Sequence, residues 1–272
     1  MKNNSRWASG FSLIILLLIA SCKSGPDPNQ NNTLTLSFAN QVGNQALTLG
    51  SGNYKNASSE SFTITTFNYY ISNIFLKKAD GTIYTVPQDS SYFLIRETNA
   101  ASKKVVLRGI PAGEYTELKF MIGVDSLRNT MDLSRRKGVL DPGDATHDGD
   151  GMYWSWNSGY IFLKLEGTSP QVAADAAGNQ KFRYHIGGFG GYNAKTFNNL
   201  RTVTLPLGSV AAKVGAAQQP TIEVVADIAK IFDGTQKISL AQYPTVMFAE
   251  YLDHRMLQQL RLYVSAIASV KD

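Results

Sequence analysis

The chain has 272 residues, 17% of them charged, with 26 Lys and Arg against 21 Asp and Glu and a single cysteine. No Lys/Arg cluster interleaved with aromatics accompanies the formal charge of +5, which argues against a nucleic-acid partner. One thiol excludes a disulfide framework, so the fold must stand on a hydrophobic core, and this length suffices for one.

Lys2 and Arg6 precede an apolar run at residues 13–20 that is too short to span a bilayer. Ile19-Ala20-Ser21-Cys22 then places small residues before the only cysteine. This pattern is a lipobox, so residues 1–21 are expected to be removed as a signal peptide and Cys22 to be lipidated; an ordinary secretory signal is the alternative. Losing Lys2 and Arg6 lowers the charge from +5 to +3 and leaves 251 of the 272 residues. Lys23 follows the cysteine and no Asp/Glu pair comes next. The expected location is the envelope of a Gram-negative bacterium, anchored through the lipid to the outer membrane and facing the periplasm. Residues 22–32, rich in Pro, Asn, Gln, Ser and Gly, read as a flexible tether.

From Thr33 the chain alternates. Leu34, Leu36 and Phe38 share one face of a first strand, and Phe62 and Ile64 mark a second. Strands at 71–77 and 83–86 flank Asp80-Gly81, a hairpin signal because both positions tolerate positive φ. Short strands follow at 92–96 and 105–108, then a turn at Pro111-Ala-Gly113, then Leu118, Phe120 and Ile122 on one face. Residues 125–151 form a long polar connection with four Arg/Lys and six Asp, the kind of loop that is usually functional or disordered. Trp154 and Trp156 come next; in a strand both rings share a face while Tyr153, Ser155 and Asn157 point the other way. Strands at 160–165, 182–186, 202–207 and 222–225 complete about ten. In the tail, 243–272, Phe248, Leu252, Leu257, Leu260 and Val264 roughly follow helical spacing, blurred by Leu262 and Ile267. The expectation is a single all-β domain over 33–272, an antiparallel β-sandwich of immunoglobulin-like architecture with a long polar loop and a tail open to helix.

The stretch Asp141-Pro-Gly-Asp-Ala-Thr-His-Asp-Gly-Asp-Gly151 offers four carboxylates and one imidazole. Asp144, Asp148 and Asp150 suit a hard cation such as calcium, but the spacing lacks the bidentate Glu of an EF-hand, and a solvated acidic turn is the favoured reading. The histidines are His147, His185 and His254. His185 shares a strand face with Arg183, opposite Phe182, Tyr184 and Ile186; from the residues alone a surface or hydrogen-bonded strand histidine leads. Gly187-Gly-Phe-Gly-Gly191 precedes no evident helix and reads as a flexible loop rather than a phosphate cradle. There is no Gly-x-Ser-x-Gly, no His-Glu-x-x-His and no cysteine nucleophile, so an enzyme is not expected.

Gly151-Met-Tyr-Trp-Ser-Trp-Asn-Ser-Gly-Tyr-Ile-Phe-Leu-Lys-Leu-Glu-Gly167, followed by Phe182-Arg-Tyr-His-Ile-Gly-Gly188, resembles the MbnP-like family of periplasmic copper-binding proteins. Phe67-Asn-Tyr-Tyr-Ile-Ser-Asn-Ile-Phe75, Gly109-Ile-Pro-Ala-Gly-Glu-Tyr115 and Phe120-Met-Ile-Gly-Val-Asp125 match in the same order, covering roughly residues 34–207. The resemblance implies copper held through histidines and, in some members, a tryptophan oxidised to kynurenine by a partner di-heme enzyme related to cytochrome c peroxidase. On that basis His185 becomes the leading ligand, with His147 approaching through its loop, Met152 as a soft sulfur suited to Cu(I), and Trp154 and Trp156 as the site wall or kynurenine precursor. His254 lies outside the matched motifs, and no second histidine aligns. The expected role is to store or hand over copper. The rivals are a non-catalytic envelope module without metal and a calcium-stabilised binding protein.

Overall fold

The computed structural model describes residues 31–143, 151–154, 159–192, 195, 197–234, 237–247 and 270–271. Its first strands are β1 (Thr33–Val42), β2 (Gln45–Ala46), β3 (Tyr54–Lys55), β4 (Ser61–Lys78), β5 (Ile83–Thr85) and β6 (Tyr92–Arg96). Next come β7 (Lys104–Arg108), β8 (Gly113–Ile122), β9 (Tyr153–Trp154), β10 (Gly159–Thr168) and β11 (Lys181–Gly187). The last are β12 (Arg201–Pro206), β13 (Ala212–Val214), β14 (Thr221–Asp227), β15 (Thr245–Met247) and β16 (Val270–Lys271). Two one-turn α-helices, α1 (Ser126–Asn129) and α2 (Ala229–Phe232), and three 3-10 turns at Gln88–Ser90, Leu133–Arg135 and Gly138–Leu140 complete the described elements.

These strands form two sheets. The smaller runs β16-β14-β1-β2, with β7 also on β1. The larger runs β12-β8-β4-β10-β11-β15, with short strands added along β4, β8 and β10. Alternation explains their packing. Leu34, Leu36 and Phe38 of β1, with Ile222, Val224 and Ala226 of β14, turn one buried face inward. Phe67, Tyr69 and Ile71 of β4, Phe120 of β8 and Tyr184 of β11 meet it from the larger sheet in one continuous core. Phe38 bridges the sheets, edge-on to Tyr69 at 6.2 Å and to Phe120 at 6.1 Å. The all-β sandwich expected from the sequence is therefore observed.

Several details depart from the expectation. β1 pairs with β14 in parallel, as β11 does with β15, so the sheets are mixed rather than purely antiparallel. The strands expected at 62–64 and 71–77 are one 18-residue strand, β4. It continues through an irregularity between Ser72 and Phe75, where Asn73 adopts φ 51°, a left-handed conformation that Asn tolerates better than most residues. The tail left open to helix is strand in its two described pieces, β15 and β16: Val246 joins the core, and residues 270–271 extend the β14 edge. The polar connection is structured over its described part: Asp125 caps α1, its carboxylate accepting from the Arg128 amide at 3.2 Å.

Candidate functional site

The outer face of the larger sheet carries a second, smaller core. Tyr70 of β4, Leu94 of β6, Trp154 of β9 and Tyr160 and Phe162 of β10 pack there with Val124, Leu140 and Met152. The polar connection is pinned over them. The Tyr70 hydroxyl donates to the Val139 carbonyl at 2.8 Å, the Tyr160 hydroxyl donates to the Leu140 carbonyl, and the Tyr160 amide donates to Asn129 Oδ1 at 3.0 Å. Burial pushes the Tyr160 phenol up to about 12, despite the opposing Arg136 charge, so it remains a neutral donor at physiological pH.

Trp154 is 6% exposed and lies against Gly187. A Cβ on Gly187 would come within 2.5 Å of the indole Cζ3 and 2.6 Å of the Tyr160 carbonyl oxygen, so only glycine fits. The first residue of the glycine-rich stretch is thus a close-packed strand position, not a flexible loop. Gly187 and His185 are two residues apart in β11 and share a face, so the position against which the indole packs is about 7 Å along the strand from the His185 backbone.

His185 is mostly buried, and its Nε2 lies 2.7 Å from Glu166 Oε1. The registers pair His185 with Lys164 and Arg183 with Glu166, so this contact is diagonal across β10 and β11. The hydrogen bond from His185 is the main reason the Glu166 carboxyl sits below its ordinary range, against its burial and with help from Lys164 and Thr66. In a neutral imidazole, Nε2 donating to the carboxylate leaves the lone pair on Nδ1. A carboxylate that fixes the tautomer in this way is the usual outer support of a metal-binding histidine. On its other side His185 pairs with Met247 of the parallel strand β15. Directly paired residues in a parallel ladder project to the same face, so the Met247 side chain shares the face of His185.

The structure therefore brings Trp154, His185, Glu166 and Met247 to one face. Met152 belongs instead to the aromatic core, 5% exposed, one strand alternation from Trp154. Glu166 and Met247 were missed in the sequence, although Glu166 stands in the matched Leu-Glu-Gly segment. His147, Trp156, His254, Cys22 and the calcium candidates Asp144, Asp148 and Asp150 lie outside the described residues. Among the described residues no group of three or more His, Cys, Asp or Glu is placed to hold a metal ion, so any soft-metal site here must draw on thioether or on residues beyond them. Also among the described residues, no helix is long and apolar enough to cross a membrane.

Comparison with known proteins gives a family match and one structural likeness. The family model described as MbnP matches residues 31–248. No curated protein matches the chain. Among solved structures, MbnP from Methylosinus trichosporium is similar at 16% identity, with 74% of this chain and 76% of that chain covered and a TM-score of 0.49.

Proposed function

The chain belongs to the MbnP family, and from that premise we propose that it is a non-catalytic, lipid-anchored envelope protein that holds a copper ion, preferably Cu(I), for storage or transfer. The observation that carries this reading is the His185–Glu166 pair, with Met247 and Trp154 on the same face. Glu166 orients the imidazole and leaves Nδ1 as the ligand atom. The Met247 thioether is a soft donor suited to Cu(I). The indole of Trp154 excludes water, which favours the lower-charged oxidation state. His147 is the further ligand this reading calls on. A di-heme partner of the cytochrome c peroxidase type would act on Trp154 or Trp156, and the kynurenine so formed is detectable by mass analysis of native material.

Anaerobic copper loading of the purified mature domain tests the reading. The wild type should retain one ion per domain, and Glu166→Gln should weaken binding by about 10- to 100-fold, the usual penalty for losing an outer-shell partner. His185→Ala should weaken it further. Equal copper in wild type and His185→Ala, or none in either, would support the alternative of an envelope module without metal. The anchor is tested separately: Cys22→Ala should leave the membrane fraction or stall in processing, and an unchanged membrane distribution would sink the lipidation claim.

A further inference from the structure

The face that carries His185 holds an excess of positive charge. Its members follow from the registers, because side chains paired directly across neighbouring strands project to the same side of a sheet. One row sets Asn68 of β4, Lys164 of β10, His185 of β11 and Met247 of β15 side by side, with Arg96 of β6 beyond Asn68. The next row sets Thr66 of β4, Glu166 of β10, Arg183 of β11 and Thr245 of β15. Arg96, Lys164 and Arg183 are the cations of these two rows, and Glu166 is their one carboxylate. That carboxylate is already engaged, with Oε1 2.7 Å from His185 Nε2.

Lys164 is the cation closest to the imidazole in the register. It stands directly opposite His185 in an antiparallel pair, which sets their Cβ atoms about 5 Å apart. Its charge is felt at the His185–Glu166 pair, because it helps to hold the Glu166 carboxyl below its ordinary range. Lys164 is also half-buried, so solvent and salt screen it less than an exposed lysine. The effect of a fixed ammonium on a metal ion scales with the charge of the ion. A divalent ion is repelled twice as strongly as a monovalent one at the same place. A divalent ion such as Zn(II) commonly offsets repulsion through carboxylate or thiolate ligands, and these two rows offer it no second carboxylate. Cu(I) is satisfied by soft, neutral donors.

Resting on the copper reading above, we propose that Lys164 determines the selectivity of this site: its charge favours a monovalent ion and turns away divalent ions such as Zn(II) and Cu(II). Lys164 acts here through its charge and not as a ligand. The test titrates the metal-free mature protein with Zn(II), a divalent ion without redox chemistry, and anaerobically with Cu(I). Lys164→Gln should raise Zn(II) affinity about tenfold and Cu(I) affinity only about threefold, because the lost charge acts twice on the divalent ion and once on the monovalent one. The reduction potential of bound copper should fall in the same variant, since Cu(II) gains more than Cu(I). Raising the salt concentration should narrow the difference between wild type and Lys164→Gln. Lys164→Arg keeps the charge and should keep the wild-type ratio of affinities, which separates charge from the packing of the strand. Equal changes in the two affinities, or a Lys164→Arg variant that behaves as Lys164→Gln does, overturns the proposal. A wild type that binds Cu(I) with a selectivity indifferent to Lys164 sinks this inference alone. A wild type that takes up no Cu(I) sinks the copper reading and this inference with it.

Discussion

Gly187→Ala should destabilise the domain by about 3 kcal/mol and expose Trp154, because the new methyl must displace either the indole or the β10 backbone. For a domain of this size that is a fall of about 2–4 °C in melting temperature for each kcal/mol. The indole is the softer of the two obstacles, so tryptophan emission should shift to the red as the ring leaves its 6% exposed position. Gly215→Ala is the control. It has no positive φ, and nothing lies within 4 Å of its added Cβ, so it should change stability by less than about 0.5 kcal/mol. Urea denaturation of the two variants side by side decides the matter, and equal midpoints would mean that Trp154 does not cover the His185 face. The same substitution bears on function. An indole pushed off that face admits water beside His185, so copper held as Cu(I) should oxidise faster in the variant even if its affinity is little changed.

What could be read from the sequence was whatever a strand writes into its own residues. The alternation of Leu34, Leu36 and Phe38 predicted the buried face of β1, and Asp80-Gly81 predicted the turn between β4 and β5, where Lys77 pairs with Ile83. Segment 92–96 is β6 to the residue. What failed was non-local or too short. The parallel pairing of Thr35 with Thr221 joins residues far apart in sequence, and no local pattern encodes it. β15 has three residues, too few for a period, and lies at the start of a tail whose spacing left helix open. The site divides in the same way. His185 could be placed on the polar face of its strand, because Phe182, Tyr184 and Ile186 claim the other. Its partner Glu166 depends on a diagonal between two strands, which requires the register. Arg136 was present in the sequence only as composition: four Arg/Lys in a polar connection carry no sign that its guanidinium turns inward onto the Met131 and Asn129 carbonyls.

Glu60→Ala should cost about 3–5 kcal/mol, as expected for removing a buried charge that satisfies several donors at once. Glu60 is 8% exposed and gathers four hydrogen bonds across the sandwich edge. Asn56 Nδ2 donates at 2.6 Å, Ser239 Oγ at 2.7 Å, and the Leu240 and Ala241 amides at 2.6 and 3.0 Å. With the carboxylate gone, three donors from 239–241 face a buried gap, and the segment that leads into β15 loses its fixed point. Burial alone would push the Glu60 carboxyl up, but the bonds from Asn56, Ala241, Leu240 and Ser239 outweigh it and hold the group below its ordinary 4.5. The sign of the pH dependence follows. A carboxyl with a lowered folded-state value contributes its stability above the unfolded value and loses it as pH falls through the folded one. The gap between wild type and Glu60→Ala should therefore be widest at neutral pH and should narrow below about pH 4, the ordinary carboxylate range. Urea midpoints measured at pH 7 and down to pH 3 test this, and a gap that stays constant would mean that packing, not the carboxylate, holds 239–241 in place. Met247 supplies the functional readout. If β15 is held in register through Glu60, the thioether leaves His185 in Glu60→Ala, and Cu(I) affinity should fall in a variant altered far from the imidazole.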